Sequence, residues 1–187
     1  MNKKTQKPNQ NITIFGFSNV KIENINVFLE RFKKYRGASV QFFDAKKVAG
    51  PEHLYFAALN ALCAFKKAIN ISNNLAVEAL LYASTQRQIK KAVNLLGIKQ
   101  DSSEVAVLII TENSHKKTEL SRLVTKIVPG KIDNSILEIT PKKVEKIRKI
   151  FGISDLELEA KLKNKGLEKE ALVDLVIERM ALLGIKS

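Results

Sequence analysis

The residues able to do chemistry are few and scattered. His53 and His115 are the only histidines in 187 residues, and Cys63 is the only cysteine. No acidic pair accompanies either histidine at metal-ligand spacing, so no metal site is expected, and His53 is expected to be a structural or surface residue. Cys63 lies in the apolar run LYFAALNALCAF (54–65), which predicts a buried thiol with no disulfide partner. Gly130 follows Pro129 and reads as a turn; no GxxxxGKS/T or GxGxxG phosphate loop is visible. No paired carboxylates and no nucleophile with a base stand out, so the expectation is no catalytic residue, no cofactor and no enzyme.

Two features remain. Glu78 is the one acidic residue between Glu52 and Asp101, and it sits inside the apolar stretch LAVEALLYA. Its structural reading is a partly buried acid satisfied by an amide, a hydroxyl or Arg87; its functional reading is a residue that orients Arg87 or touches a ligand. The second feature is Thr85-Gln86-Arg87-Gln88. That order has the form of a capping box, with the Thr85 hydroxyl accepting from the amide three residues on and Gln88 reaching back. A helix start carrying Arg87 in its first turn is a ready anion site. The same residues also suit an ordinary solvated helix start.

The elements that position them follow from periodicity. Residues 74–98 read as two helices broken at Ser84-Thr85. Ala76, Val77, Leu80, Leu81 and Ala83 form the apolar side of the first, and Ile89, Ala92, Val93 and Leu96 that of the second. Gly97 fits the left-handed residue after a helix. The Gly50-Pro51 pair opens a long helix, apolar almost all round, which belongs at the centre of the fold. Strands are expected at Ile12–Phe17, Ser39–Phe43, Glu104–Thr111 and Ser135–Ile139, and further helices at 22–35, 115–127, from Pro141 to Phe151, and 168–183. Ser154-Asp155-Leu156-Glu157 is a second capping box. The last helix has more apolar positions than one stripe, so it either packs deep or offers a surface to another protein. The fold class is α/β (α+β): a small mixed sheet of about four strands, several helices and a helical C-terminal part at about 141–187. Residues 1–11 read as a loose basic arm and 12–187 as a single domain.

The net charge is +13, with 32 basic and 19 acidic residues. Residues 151–187 hold six basic and seven acidic residues, so the first 150 carry the whole excess. The outer faces of helices 115–127 (Lys116, Lys117, Arg122, Lys126) and 141–151 (Lys142, Lys143, Lys146, Lys149) carry much of it. Such a field favours a polyanion partner, nucleic acid above all. No apolar run approaches the ~18 residues a membrane span needs, and a cytoplasmic location is expected.

The runs QFFDAKKVAGPEHLYFAALNALCAF, VEALLYASTQRQIKKAVNLLGIK and EVAVLII resemble the kinase-binding regulatory subunit of the KEOPS (EKC) complex, the TPRKB-like family. The family pattern is an Ala-rich central helix, Glu-x-x-Leu-Leu-aromatic before a small-residue break, then Ile, Ala and Gly-Ile. Glu78, Leu81, Tyr82, Ser84, Ile89, Ala92 and Gly97 fit it. The resemblance covers about residues 40–112. It implies a non-catalytic α/β protein with two partners, the KEOPS kinase/ATPase subunit and tRNA, and through them the threonylcarbamoyltransferase subunit, without membrane or small-molecule substrate. It also implies a grip on the single-stranded 3′ CCA end of tRNA, so that the anticodon-loop adenosine receives threonylcarbamoyl. Cations for phosphates and planar or amide side chains for splayed bases suit such an end. Tyr82, Ser84, Thr85, Gln86, Arg87, Gln88, Lys90 and Lys91 are the expected tRNA-binding residues. The kinase contact is expected in the near-neutral, apolar C-terminal part, at Phe151, Ile153, Val176, Met180 and Leu183. The alternative is a stand-alone basic RNA-binding protein, indifferent to the CCA end and lacking a kinase partner.

Overall fold

The computed structural model describes residues 11–32, 35, 37–162 and 167–183. Residues 1–10 of the expected arm lie outside them. Asn11 is not loose: its amide donates to the Glu112 carbonyl at 3.2 Å, and its own carbonyl accepts from Thr111 N–H at 2.9 Å.

Four strands form one sheet: β1 (Ile12–Ser18), β2 (Ala38–Asp44), β3 (Val105–Thr111) and β4 (Lys131–Ile132), in the order β2-β3-β1-β4. All ladders are antiparallel, a more uniform sheet than the mixed one expected. β3 is buried along its whole length because helices cover both faces. Its alternate side chains part to opposite sides: Ala106, Leu108 and Ile110 join one core, Val105, Val107 and Ile109 the other. The first core lies under α2 (Gly50–Lys66), α3 (Leu75–Ser84), α6 (Pro141–Phe151) and α8 (Glu168–Leu183). The second lies under α1 (Ile25–Glu30) and α5 (Ser114–Ile127). The short helices α4 (Ile89–Leu96) and α7 (Asp155–Lys161) are the remaining α-helices among the described residues.

α2 crosses its layer beside α3, α8 and the sheet, as a helix apolar almost all round requires. Fully buried Ala57, Ala58 and Ala61 of α2 and Ala79 and Ala83 of α3 share that core, small side chains that suit two closely packed helices. Its cover is incomplete, however. Phe56 is 39% exposed and the Cys63 thiol is exposed, not buried as expected.

Ser135–Ile139 is not a strand. Residues 134–137 form a 3-10 turn instead, and the fourth strand is the two-residue β4 before it. Local polar side chains decide this. Asp133 caps the turn, and Asn134 Oδ1 accepts from Gly16 N–H at 2.9 Å where a ladder bond would run. The helix expected at 22–35 shrinks to α1, since Asn24 caps its start at Val27 N–H; Ile22 and Phe32 are still buried from outside it. On α6, Val144, Ile147 and Phe151 point inward as the spacing predicts, whereas Lys143 departs from the outer basic face. It is buried, and its ammonium donates to the Ile136 and Leu137 carbonyls at 3.0 and 3.4 Å. That burial lowers its pKa to about 8. The Ser154–Glu157 capping box is present in full at the start of α7. Among the described residues, no helix is long and apolar enough to cross a membrane.

Candidate nucleic-acid interface

The site grows from the way α3 ends. Asn74 caps its start, the side-chain oxygen accepting from Ala76 and Val77 N–H at 2.9 and 3.2 Å. Glu78 is fully buried and accepts from Ile71 and Ser72 N–H, the latter at 2.8 Å. Its role is therefore structural: it ties the incoming loop to α3. His53 does the same at the other end. Its Nδ1 accepts from Ala49 N–H at 3.0 Å, which leaves Nε2–H to donate to the Ala83 carbonyl at 2.8 Å. Full burial lowers its pKa to about 4, so the ring is neutral and satisfies one of the terminal carbonyls of α3. Phe151 closes over it edge-on, 5.5 Å between ring centroids.

α3 then stops on Thr85, whose φ of 54° and ψ of 29° are left-handed. Thr85 N–H donates to Tyr82 O and Gln86 N–H to Leu81 O, the two bonds of a Schellman ending. This replaces the expected capping box. Thr85 finishes α3 rather than starting α4, and Gln88 is the N-cap of α4 without a side-chain bond. Arg87 thus precedes α4 instead of lying in its first turn. One of its guanidinium nitrogens donates to the Leu183 carbonyl at 3.3 Å, at the C-terminal end of α8. Gly97 is also not left-handed, at φ −65° and ψ 155°. It is needed for close approach, because a Cβ there would lie 2.6 Å from the Val93 carbonyl.

These bonds sort the eight expected tRNA-binding residues. Arg87, Gln88, Lys90 and Lys91 are exposed, and Thr85 and Gln86 are half-buried beside them. Tyr82 and Ser84 face inward: the tyrosine is 6% exposed, and the Ser84 hydroxyl donates back to Leu81 O at 3.1 Å. Burial, and next the nearby Glu78 charge, raise the Tyr82 pKa. Two residues read as inward are exposed instead, Ile89 at 47% and Val93 at 44%; of the apolar side of α4 only Ala92 and Leu96 are buried. The spacing marks one apolar stripe but not how much of it the body covers, and at this rim Ile89 and Val93 lie beyond the cover. The result is an open ledge of amides, cations and two aliphatic side chains.

The five residues expected to meet a kinase have their side chains in the core instead. Phe151, Ile153 and Leu183 are 5–7% exposed, and Val176 and Met180 are not exposed at all. The apolar excess of α8 is spent on packing against α2, α3, α6 and α7. The exposed large apolar side chains of this region, among the described residues, are Leu156, at 75%, Leu182, at 50%, and Leu167, at 41%, just before α8. No group of three or more His, Cys, Asp or Glu that could hold a metal occurs among the described residues.

An α+β protein that presents its polar and cationic groups on an open ledge has the form of a binding protein. Residues 17–184 match the family described as kinase binding protein CGI-121. The regulatory protein Cgi121 of Methanocaldococcus jannaschii is 32% identical over 139 residues, which cover 74% of this chain and 86% of that protein. The chain belongs to this family of kinase-binding regulatory proteins.

Proposed function

We propose that the protein is the non-catalytic, kinase-binding subunit of a KEOPS-type complex and that it recruits tRNA by the single-stranded 3′ CCA end. The observation that carries the tRNA part is the ledge after α3, where Thr85, Gln86, Arg87, Gln88, Lys90 and Lys91 gather at the surface of a chain of net charge +13. Cations there meet phosphates, amides meet base edges, and Ile89 and Val93 offer apolar contact to an unstacked base. The kinase part rests on the family, and on the exposed edge of α7 and α8 at Leu156 and Leu182, where the basic excess of the chain ends. The reaction itself, transfer of threonylcarbamoyl to the anticodon-loop adenosine, belongs to partner subunits.

The test compares tRNA with tRNA lacking its terminal CCA, at moderate salt, for wild type, Arg87→Glu and Lys90→Glu/Lys91→Glu. Removal of CCA is expected to weaken wild-type binding by about 30-fold, or ~2 kcal/mol. The ledge variants should lose a similar factor with intact tRNA and little more when CCA is gone. The lysine pair matters because Arg87 also holds the end of α8, so its loss alone could act through that helix. Equal binding of both tRNAs by wild type sinks the CCA reading in favour of a general cationic RNA binder.

A further inference from the structure

On the opposite face of the sheet, α5 and Tyr35 enclose a recess of about 650 Å³, within the ~300–1,000 Å³ range of ligand sites. Tyr35 and Leu123 are half-buried in its wall and rest on the second core. Arg122 and Lys126 stand exposed at its edge, one helical turn apart, and neither side chain has an ion pair among the described residues. His115, Thr118 and Glu119 complete the polar lining. α5 also carries Lys116, paired with Glu112, and Lys117, so the helix beside the recess is cationic.

We propose that this recess is a second RNA contact, which takes one unpaired nucleotide of the same RNA, its base against Tyr35 and Leu123 and its phosphates on Arg122 and Lys126. The inference rests on the reading above that the protein binds tRNA. An aromatic ring set in a recess beside cations is of use to an unstacked base, which any sequence can supply; a paired one cannot reach it. Glu119 can accept from an exocyclic amine or a 2′-hydroxyl there. The sheet separates the recess from the α3–α4 ledge, so the CCA end cannot fill both. The nucleotide must come from another unpaired part of the molecule.

Binding of tRNA with and without CCA, and of a short oligouridine and a blunt RNA duplex, is measured for wild type, Arg122→Gln/Lys126→Gln, Tyr35→Leu and Tyr35→Phe. The double variant should weaken both tRNAs alike, by about tenfold, and lower the slope of log K against log salt by between ~1 and ~2. Tyr35→Leu keeps apolar packing but should lose about tenfold on both tRNAs and on oligouridine, and nothing on the duplex. Tyr35→Phe should bind as wild type does. Wild-type tRNA binding that survives unchanged in the double variant and in Tyr35→Leu overturns the proposal and leaves the ledge reading standing. Loss in the double variant alone also overturns it, because the face would then be only a general electrostatic one. A wild type that binds neither tRNA removes the ledge reading, and this proposal with it.

Discussion

Thr85 holds a backbone conformation that a β-branched residue rarely adopts, at a cost of roughly 1–2 kcal/mol. Glycine in this place would end α3 without strain. Thr85→Gly is therefore expected to raise stability by about 1 kcal/mol, read as a rise of about 2–4 °C in Tm. If the hydroxyl faces RNA, as proposed, the same variant binds intact tRNA less tightly; a stabler protein with unchanged binding would free the ledge of Thr85. His53 gives a residue-scale prediction in pH. Its folded pKa of about 4 lies below the ordinary 6.5, because burial disfavours the charged ring. The contribution is thus complete above pH 6.5 and is lost as pH falls from there toward 4, by about 3 kcal/mol in all. Urea melts from pH 7.5 to 4.5 should show this fall in wild type and a flatter profile in His53→Gln. Parallel profiles would mean that another group titrates. The variant should also be less stable at pH 7.5, since the Ala83 carbonyl and Ala49 amide both lose an imidazole partner.

Elements with strong periodicity were legible, and the joints between them less so. The central strand 104–111, the α2 core helix, α5, α6, α8 and the Ser154 capping box follow from residue spacing alone. The spacing places the α3–α4 joint correctly but assigns Thr85 to the wrong helix. Thr85-x-x-Gln88 satisfies a capping-box pattern, and nothing local says that Leu81 and Tyr82 carbonyls compete for the following amides and win. Ser135–Ile139 misled in the same way, because its apolar residues do bury, but from a turn fixed by Asp133, Asn134 and Gly16 on another strand. An apolar count likewise cannot tell a docking face from a core face, which is why all five expected kinase contacts lie inside. That distinction changes the mutation to make. Ile153→Glu buries a carboxylate without a partner and should cost roughly 3 kcal/mol or more, so lost kinase binding there reports unfolding. Leu182→Glu, on a half-exposed side chain, should leave Tm within a degree or two while abolishing pull-down of the kinase subunit. Retained pull-down by a folded Leu182→Glu/Leu156→Glu protein would move the contact off this edge.

Across the whole molecule, charge is unevenly divided, although the ledge and the C-terminal edge adjoin where Thr85 and Leu182 line one recess. The first 150 residues carry all of the positive excess, and residues 151–187 are close to neutral. Within that C-terminal part, α7 and α8 are laced by Lys161–Glu178 and Arg179–Glu157 ion pairs, which neutralise the surface around Leu156 and Leu182. On the proposed function, a polyanion is drawn to the basic body and an apolar protein contact is left to the C-terminal edge. Salt separates the two. Arg87, Lys90, Lys91, Arg122 and Lys126 are the five cations proposed to meet phosphate, and a single strand gives a slope of about −0.7 per phosphate contact. Raising salt from 50 to 200 mM should then weaken tRNA binding by about 100-fold. The kinase complex, held by apolar burial, should change by no more than about threefold over the same range. The measurement is a salt titration of each binary complex, followed by the ternary one. High salt should strip RNA and leave a protein pair; kinase binding that falls as steeply as tRNA binding would show that the basic body serves both partners.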